Sequence, residues 1–332
     1  MRRRFLGALA VVMALAVIGA ACAKSNGPSN TGTTGTSGTT ATSGASGTTA
    51  TSGTSGTTAT SGPSGTTATS GPSGTTATSG PSGTTASIPP ATTLKSGTLT
   101  VGSCLDYKPF EFTKNGQLQG FDVEIMEAIA SKMGLSGVTW VKANFDTIFT
   151  ALATGQKFDA VAAASTITPE REQIVDFSNP YYNARQSLTV NEQKTPDVKS
   201  TDDLQSGQTV GVQKGTTGKQ WAEDNLQPKG IQVRTYTNIT DAFTDLEAGR
   251  IVGIINDEPS SIAEAQDRPT LKVVEPIDTG EHYGIAINPQ NDTLKPAIDA
   301  ALAAIIADGT YKQIFTKYFP TLPLPPEFEP AS

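Results

Sequence analysis

Taken as a pattern of apolar and polar positions, the chain falls into three stretches. The first is an uncharged apolar run, Phe5–Ala21, directly behind three arginines at positions 2–4. The second, Ser25–Leu94, holds no Asp, Glu, Lys, Arg or His and is almost wholly Gly, Ser, Thr, Ala and Pro. The third, from Lys95 onward, switches between strand-like and helix-like periodicity. There the pattern predicts a strand over 98–103 and a helix over 121–135, with Gly134 near its stop. In that helix Phe121, Ile125, Ile129 and Met133 share an arc of about 120°. A strand over 138–141, a helix over 145–154 ended by Gly155, and a buried strand over 158–162 follow. Thr168 and Pro169 read as the N-cap and first residue of another helix. A second series begins near residue 208. It runs through a strand at 208–212, a Gly-Thr-Thr-Gly turn at 215–218, a helix carrying Trp221, a strand at 231–236, a helix at 238–248 and a buried strand at 251–255. Strands at 271–274 and 283–287 and helices at about 292–307 and 310–318 complete it. Strands alternating with helices imply an α/β fold with largely parallel sheets. Two such series imply two lobes with a cleft between them, where small ligands commonly bind.

The first stretch is read as an address. Its basic start, apolar run and small residues suit a secretory signal better than a membrane span. The run ends Ile18-Gly19-Ala20-Ala21-Cys22, which resembles the bacterial lipoprotein lipobox, with Gly19 where the best form has Leu. The resemblance implies cleavage before Cys22 and acylation of that residue, hence a membrane anchor. Ordinary cleavage at Ala21-Cys22-Ala23 is the alternative and would release a soluble protein. Either route takes the chain out of the cytoplasm. No second apolar run approaches 18 residues; the strongest, Ile298–Ala307, belongs to an amphipathic helix.

The second stretch carries a nine-residue repeat, GTTATSG followed by two small residues or Pro-Ser, starting at Gly38, Gly47, Gly56, Gly65 and Gly74. A calcium-binding β-helix of that period needs a regular Asp, and none is present. Nothing in the repeat is large enough to bury, so the segment reads as a disordered tether. About 70 such residues have a root-mean-square reach of roughly 45 Å. Its Ser and Thr density also suits an O-glycosylated stalk.

Charge and composition narrow the chemistry of the remaining 238 residues. Of 24 basic residues, four precede residue 95, which leaves 20 against all 31 acidic ones, a net charge of −11. An acidic domain lacks the footprint for phosphate backbones, so no nucleic-acid partner is expected. One histidine, His282, and two cysteines, Cys22 and Cys104, are too few for a Cys/His zinc site. No cofactor or metal is called for.

Three local features suggest a ligand site. Gly215-Thr216-Thr217-Gly218-Lys219 looks like a phosphate loop, but Gln213 stands where a Gly is required and Gln220 where Ser or Thr is. What survives is a Gly-rich turn that opens a helix and presents free N–H groups to an anion, or else an ordinary capped helix start. Arg171 falls in a helix's first turn, where a cation opposes the dipole; it either answers an anion or is a surface residue with a small local cost. Asp257 follows a buried strand at the carboxyl end where α/β folds place ligands, or it N-caps the next helix.

Several motifs together are similar to bacterial solute-binding proteins of family 3, the polar-amino-acid receptors of ABC importers. They are PFEF at 109–112, GFDVEI at 120–125, TITPER at 166–171, VDFSNPYY at 175–182, VGVQKGTTG at 210–218, AGRIVGIINDEP at 248–259, YGIAI at 283–287 and ADGTYKQIFTKYF at 307–319. The resemblance spans nearly all of 95–320. It implies a two-lobed periplasmic-binding-protein-like (type II) α/β fold with two hinge crossings, near 183–190 and 280–285. The organisation expected is a signal peptide over 1–21, a lipid-anchored linker over 22–94, lobe one over 95–184 and 283–320, lobe two over 185–282, and a Pro-rich tail over 321–332.

The resemblance also implies roles. Arg171 would grip a ligand α-carboxylate through two prongs, supported by Thr166 and the backbone N–H of Thr217. Asp257, with backbone groups at Ala164, would hold the α-ammonium. Tyr107 and Phe145 would cover the apolar stem. Cys104, Ala163, Gln213 and Asn256 would meet the ligand side chain. Cys104 stands where amide- and cation-binding relatives often have Asp. With no charged partner among these four, a buried cationic side chain is disfavoured, and a neutral polar, glutamine-like one is expected. Asp106 and Lys108, beside Tyr107, are candidates to reach the cleft. The implied function is an exported, monomeric, non-enzymatic receptor that delivers a free amino acid to an ABC permease. The alternatives are a sensory domain for a membrane receptor and a periplasmic cyclohexadienyl-type dehydratase.

Overall fold

The structure, a computed structural model, describes residues 87–331. The apolar run, Cys22 and the repeats lie outside the described residues.

The chain opens with β1 (Leu99–Ser103) and a small antiparallel sheet of β2 (Asp106–Tyr107), β3 (Glu111–Lys114) and β4 (Gln117–Gln119). Helix α1 (Phe121–Lys132), β5 (Val138–Lys142), α2 (Phe145–Ala153), β6 (Ala160–Val161), α3 (Pro169–Glu172) and β7 (Asp176–Phe177) follow. The long β8 (Tyr182–Asn191) leads to β9 (Thr209–Gln213), α4 (Thr217–Asn225), β10 (Gln232–Tyr236), α5 (Ile239–Ala248), β11 (Gly253–Asp257), α6 (Glu258–Asp267) and β12 (Leu271–Tyr283). Then come β13 (Ala286–Ile287), α7 (Leu294–Ala307) and α8 (Thr310–Tyr318). Two five-stranded sheets result, ordered β5-β1-β6-β13-β7 and β10-β9-β11-β8-β12. Each has parallel strands beside antiparallel ones. The chain thus crosses from the first sheet to the second along β8 and returns along β12, and these two strands pair with each other.

Local chemistry explains the elements that place the site. In α1, Phe121, Ile125 and Ile129 are buried as the spacing predicts, while Met133 sits at the C-cap. Gly134, at a φ of 73°, turns the chain out of the helix. Thr168 caps α3 by accepting from Arg171 N, with Pro169 as first residue. Thr216 caps α4 by accepting from Lys219 N. The hinge is rooted in an aromatic core. Tyr182 and Tyr283, where the two crossing strands meet, stack with centroids 5.5 Å apart. Phe110 packs edge-on against both, at 5.2 and 5.4 Å.

Two expectations need correction, over 271–287 and at the end of the linker, and two further segments gain structure that the pattern did not reveal. Strands expected separately at 271–274 and 283–287 are one long β12 and a distinct β13. Pro276 is tolerated inside β12 because that strand is the sheet's edge and its register slips at two places. Strand β8 was not legible, because Gln186, Ser187, Thr189 and Asn191 make it look exposed; all four are buried between β11, β12 and the cleft. The tether was expected to run to residue 94. Instead Thr92 N donates to Thr293 Oγ1 and Leu94 N donates to Asp159 Oδ1, so this end is docked on the first lobe. The Pro-rich tail is docked as well, with Phe328 buried against Tyr311 at 4.9 Å. Among the described residues no helix is long and apolar enough to cross a membrane.

Candidate functional site

The cleft lies between the carboxyl ends of β1 and β6 on one side and of β9 and β11 on the other. Its walls carry Cys104, Tyr107, Glu111, Phe145, Ala163 and Arg171 from the first lobe, and Gln213, Thr217 and Asp257 from the second. Ala164, Thr166 and Thr216 also line it. The walls touch, and the space between them leaves about 20 Å³ for the centre of a water molecule. That suits one water, so a ligand of about ten heavy atoms fits only when the lobes or the lining side chains part.

Arg171 occupies the middle of one wall. Its Nη1 donates to Thr166 O at 2.6 Å and its Nη2 crosses the cleft to Gly215 O at 3.1 Å. The guanidinium lies over Phe149 and Phe145, 4.7 and 5.2 Å from the ring centroids. A guanidinium has five N–H donors, and two are used here. Burial lowers its pKa to about 10, partly offset by Glu281 and Asp257, so it stays cationic. Thr217 N, at the start of α4, donates to no group among the described residues. The Arg171 guanidinium and the start of α4 thus line the same cleft.

Asp257 faces it from the second lobe. Its Oδ2 accepts from Tyr107 O–H at 2.6 Å and its Oδ1 from Gln186 Nε2 at 2.5 Å. Burial and the nearby Glu281 raise its pKa to about 6. Asp257 stands at the N-cap position of α6, but its side chain caps nothing. Ala164 is held at a φ of 46°, and its N–H is committed to Asp122 Oδ2 at 2.8 Å. Only its carbonyl is left for an ammonium. Asp122, also bonded by Tyr181 O–H at 2.9 Å, explains the acidic residue in the GFDVEI motif: it fixes the strained turn that forms the cleft floor.

Other expected residues are placed differently. Tyr107 lines the cleft, but its hydroxyl ties the lobes together instead of simply covering a stem. Phe145 lines the cleft and also carries Arg171. Asn256 does not line it. Its Oδ1 lies 3.1 Å from Tyr107 Oη and its Nδ2 3.4 Å from Ser261 Oγ. Asn256 and Asp257 both reach the Tyr107 hydroxyl, with Asn256 just outside the cleft lining. Cys104 is buried, and burial with the charges of Glu111 and Asp106 pushes its thiol pKa up, which favours the neutral thiol. Asp106 and Lys108 do not reach the cleft; they pair with Lys142 and Asp267.

Two carboxylates escaped sequence reading. Glu111 is fully buried on the cleft wall, and neither of its oxygens, nor Ser103 Oγ, has a hydrogen-bond partner. Burial, then Asp122 and Asp106, raises its pKa well above the carboxylate range. The signal was its place between Phe110 and Phe112, in a segment that had to be buried. Glu281, 8% exposed on β12, accepts from Thr166 and Thr217 hydroxyls. Beside Gly280 it looked like a solvated turn residue.

Two α/β lobes, a pair of adjacent crossing strands and opposed charges across a buried cleft define a hinged ligand-binding protein. Residues 99–321 match the model of the bacterial extracellular solute-binding proteins, family 3. The chain is 33% identical over 228 residues to the ABC transporter arginine-binding protein 1 of Escherichia coli K12, covering 67% of this chain and 90% of that one. Two solved structures are each 38% identical with a TM-score of 0.63. One is an ancestral arginine-binding protein bound to arginine, covering 67% of this chain and 98% of that one. The other is an ancestral arginine-binding protein bound to glutamine, covering 68% and 99%. The chain belongs to the bacterial extracellular solute-binding proteins, family 3.

Proposed function

We propose that the protein is an extracytoplasmic receptor for a free amino acid with a cationic side chain, arginine foremost, and that it serves an ABC permease. The carrying observation is the charge distribution of the cleft. Arg171 faces Asp257 across it, which suits the carboxylate and ammonium of a zwitterion. Beyond that pair, Glu111 is a buried acidic group on the cleft wall whose carboxyl oxygens have no hydrogen-bond partner among the described residues. Burial holds Glu111 toward its neutral form; a guanidinium beside it would favour the ionised form, a gain that a neutral side chain does not offer. The neutral, glutamine-like expectation rested on four uncharged side-chain contacts, and Glu111 adds to them a buried acid that a bound cation would ionise. Gln213 favours the neutral reading as second choice, since its Oε1 is free to pair with an amide while its Nε2 is held by Thr237 O at 3.2 Å. The arginine and glutamine complexes of similar proteins make both ligands fit probes.

On this reading the ligand meets Arg171 first, and closure brings Asp257 onto its ammonium. The permease reads the closed form. A monomer tethered to the membrane by acylated Cys22 completes the proposal, and binding without turnover is expected. Titration calorimetry with arginine and glutamine in two buffers of different ionisation heat tests it. Arginine binding is expected to release a proton from Glu111 at pH 7, and glutamine binding none. Tight glutamine binding without arginine binding overturns the cationic reading, and no heat from any amino acid overturns the receptor reading.

A further inference from the structure

Neither the zwitterion site nor the side-chain subsite explains Glu281. It lies on β12, one of the two strands that cross between the sheets, and it is almost fully buried. Its Oε2 accepts from Thr166 O–H at 2.6 Å and from Thr217 O–H at 2.7 Å. Thr166 precedes α3 in the first lobe; Thr217 opens α4 in the second. Its Oε1 accepts from Gln186 Nε2 at 3.1 Å, on the other crossing strand, and from Thr279 O–H at 2.8 Å. One carboxylate is thus bonded to both lobes and to both hinge strands. The Thr166 hydroxyl, expected to serve the ligand carboxylate, and the Thr217 hydroxyl are already spent on an anion that belongs to the chain.

We propose that Glu281 is a positioning residue that latches the lobes shut through Thr166 and Thr217 and holds part of the ligand-free protein in the closed form. Hydroxyl donors to a carboxylate form the stronger class of hydrogen bond. Parting the lobes separates Thr217 from Thr166, so Oε2 keeps at most one of them. The latch favours closure whether or not a ligand is present. It also assigns the ligand carboxylate to Arg171 and Thr217 N alone. The latch rests on the described geometry, and only the affinity arm of its test depends on the amino-acid reading.

Pulsed-EPR distances between spin labels at Gln156→Cys and Gln227→Cys, one exposed position on each lobe, test it in the full chain with Cys22→Ser. Without ligand, part of the population is expected at the closed distance. Glu281→Ala is expected to lower the closed-to-open ratio about tenfold, and Thr166→Val and Thr217→Val to lower it in the same direction. Each threonine effect is expected to vanish in the Glu281→Ala background, as coupled partners require. With L-arginine as probe, the dissociation constant rises in Glu281→Ala while the saturated distance stays that of the wild type. A ratio unchanged in Glu281→Ala, additive threonine effects, or a ligand-free wild type lacking the closed distance overturns the latch. A merely structural role lowers the melting temperature and leaves the ratio alone. If Glu281→Ala does not fold, Thr217→Val decides, and an unchanged ratio there overturns the proposal. Failure of arginine to bind would count against the ligand reading and leave the distance result standing.

Discussion

Tyr107 Oη lies 2.6 Å from Asp257 Oδ2, and the two residues belong to opposite lobes. The tyrosine hydroxyl neutralises part of a carboxylate that would otherwise be buried against Glu281. It also makes the closing surface self-complementary. Tyr107→Phe removes a hydrogen bond to a charged acceptor, a contribution of roughly 1.5–3 kcal/mol. The variant is expected to stay folded and to bind its amino acid about tenfold more weakly, measured by titration calorimetry. Unchanged affinity would mean that the contact is broken in the bound state.

Arg171 combines charge, a fork of donors and two aromatic supports. Arg171→Ala is expected to abolish tight binding, by at least about a hundredfold, with circular dichroism unchanged. Arg171→Lys keeps the charge and loses the planar fork, so it should recover only a small part. Wild-type affinity in either variant would remove Arg171 from the site.

Glu111→Gln separates the two ligand readings. It should weaken arginine binding roughly 10–100-fold, the range of one buried charge-assisted contact, and leave glutamine binding unchanged. The proton release on arginine binding should vanish with it. A variant that binds arginine normally would leave the cation without its proposed partner.

The Asp257 pKa of about 6 gives binding and stability opposite pH trends. An ammonium needs the carboxylate ionised, so the dissociation constant should rise about tenfold from pH 7 to pH 5. Stability runs the other way. A pKa raised on folding contributes stability that is full below about pH 4 and is lost as pH rises through 6. The melting temperature of Asp257→Asn should therefore gain on the wild type between pH 4 and 7. A constant difference would refute the raised pKa.

Gly120 sits at φ 145°, ψ 169°, and a Cβ there would lie 2.0 Å from Phe110 O. Only glycine fits that conformation. Gly120→Ala should cost about 3 kcal/mol or more, since backbone must move, and lower the melting temperature on the order of 10 °C. A shift of only a degree or two would show that the segment ahead of α1 adapts freely.

Most elements were legible because their cause is local. The stripe of α1, the cap at Thr168, the Gly-rich turn ahead of α4 and the apolar cores of β9 and β11 follow from spacing and residue type. Arg171 and Asp257 stood out for their places at a helix start and a strand end. Strand β8 did not, because its buried polar face is paid for by partners far along the chain. Glu111 and Glu281 were missed for the same reason: a carboxylate reads as solvated until the fold shows what surrounds it.

Strand β13 lies between β6 and β7, and Ala286 pairs with Val161 across the whole of the second lobe. The first lobe is therefore split in sequence, while the second is continuous between its two crossings. During synthesis the second lobe has all its strands before the first can close its sheet. Three strands, β5, β1 and β6, must wait with one edge unpaired for a segment made more than a hundred residues later. That wait is a window for mispairing and aggregation. The order of assembly is thus written into the topology: inner lobe first, outer lobe last, with β13 as the closing piece.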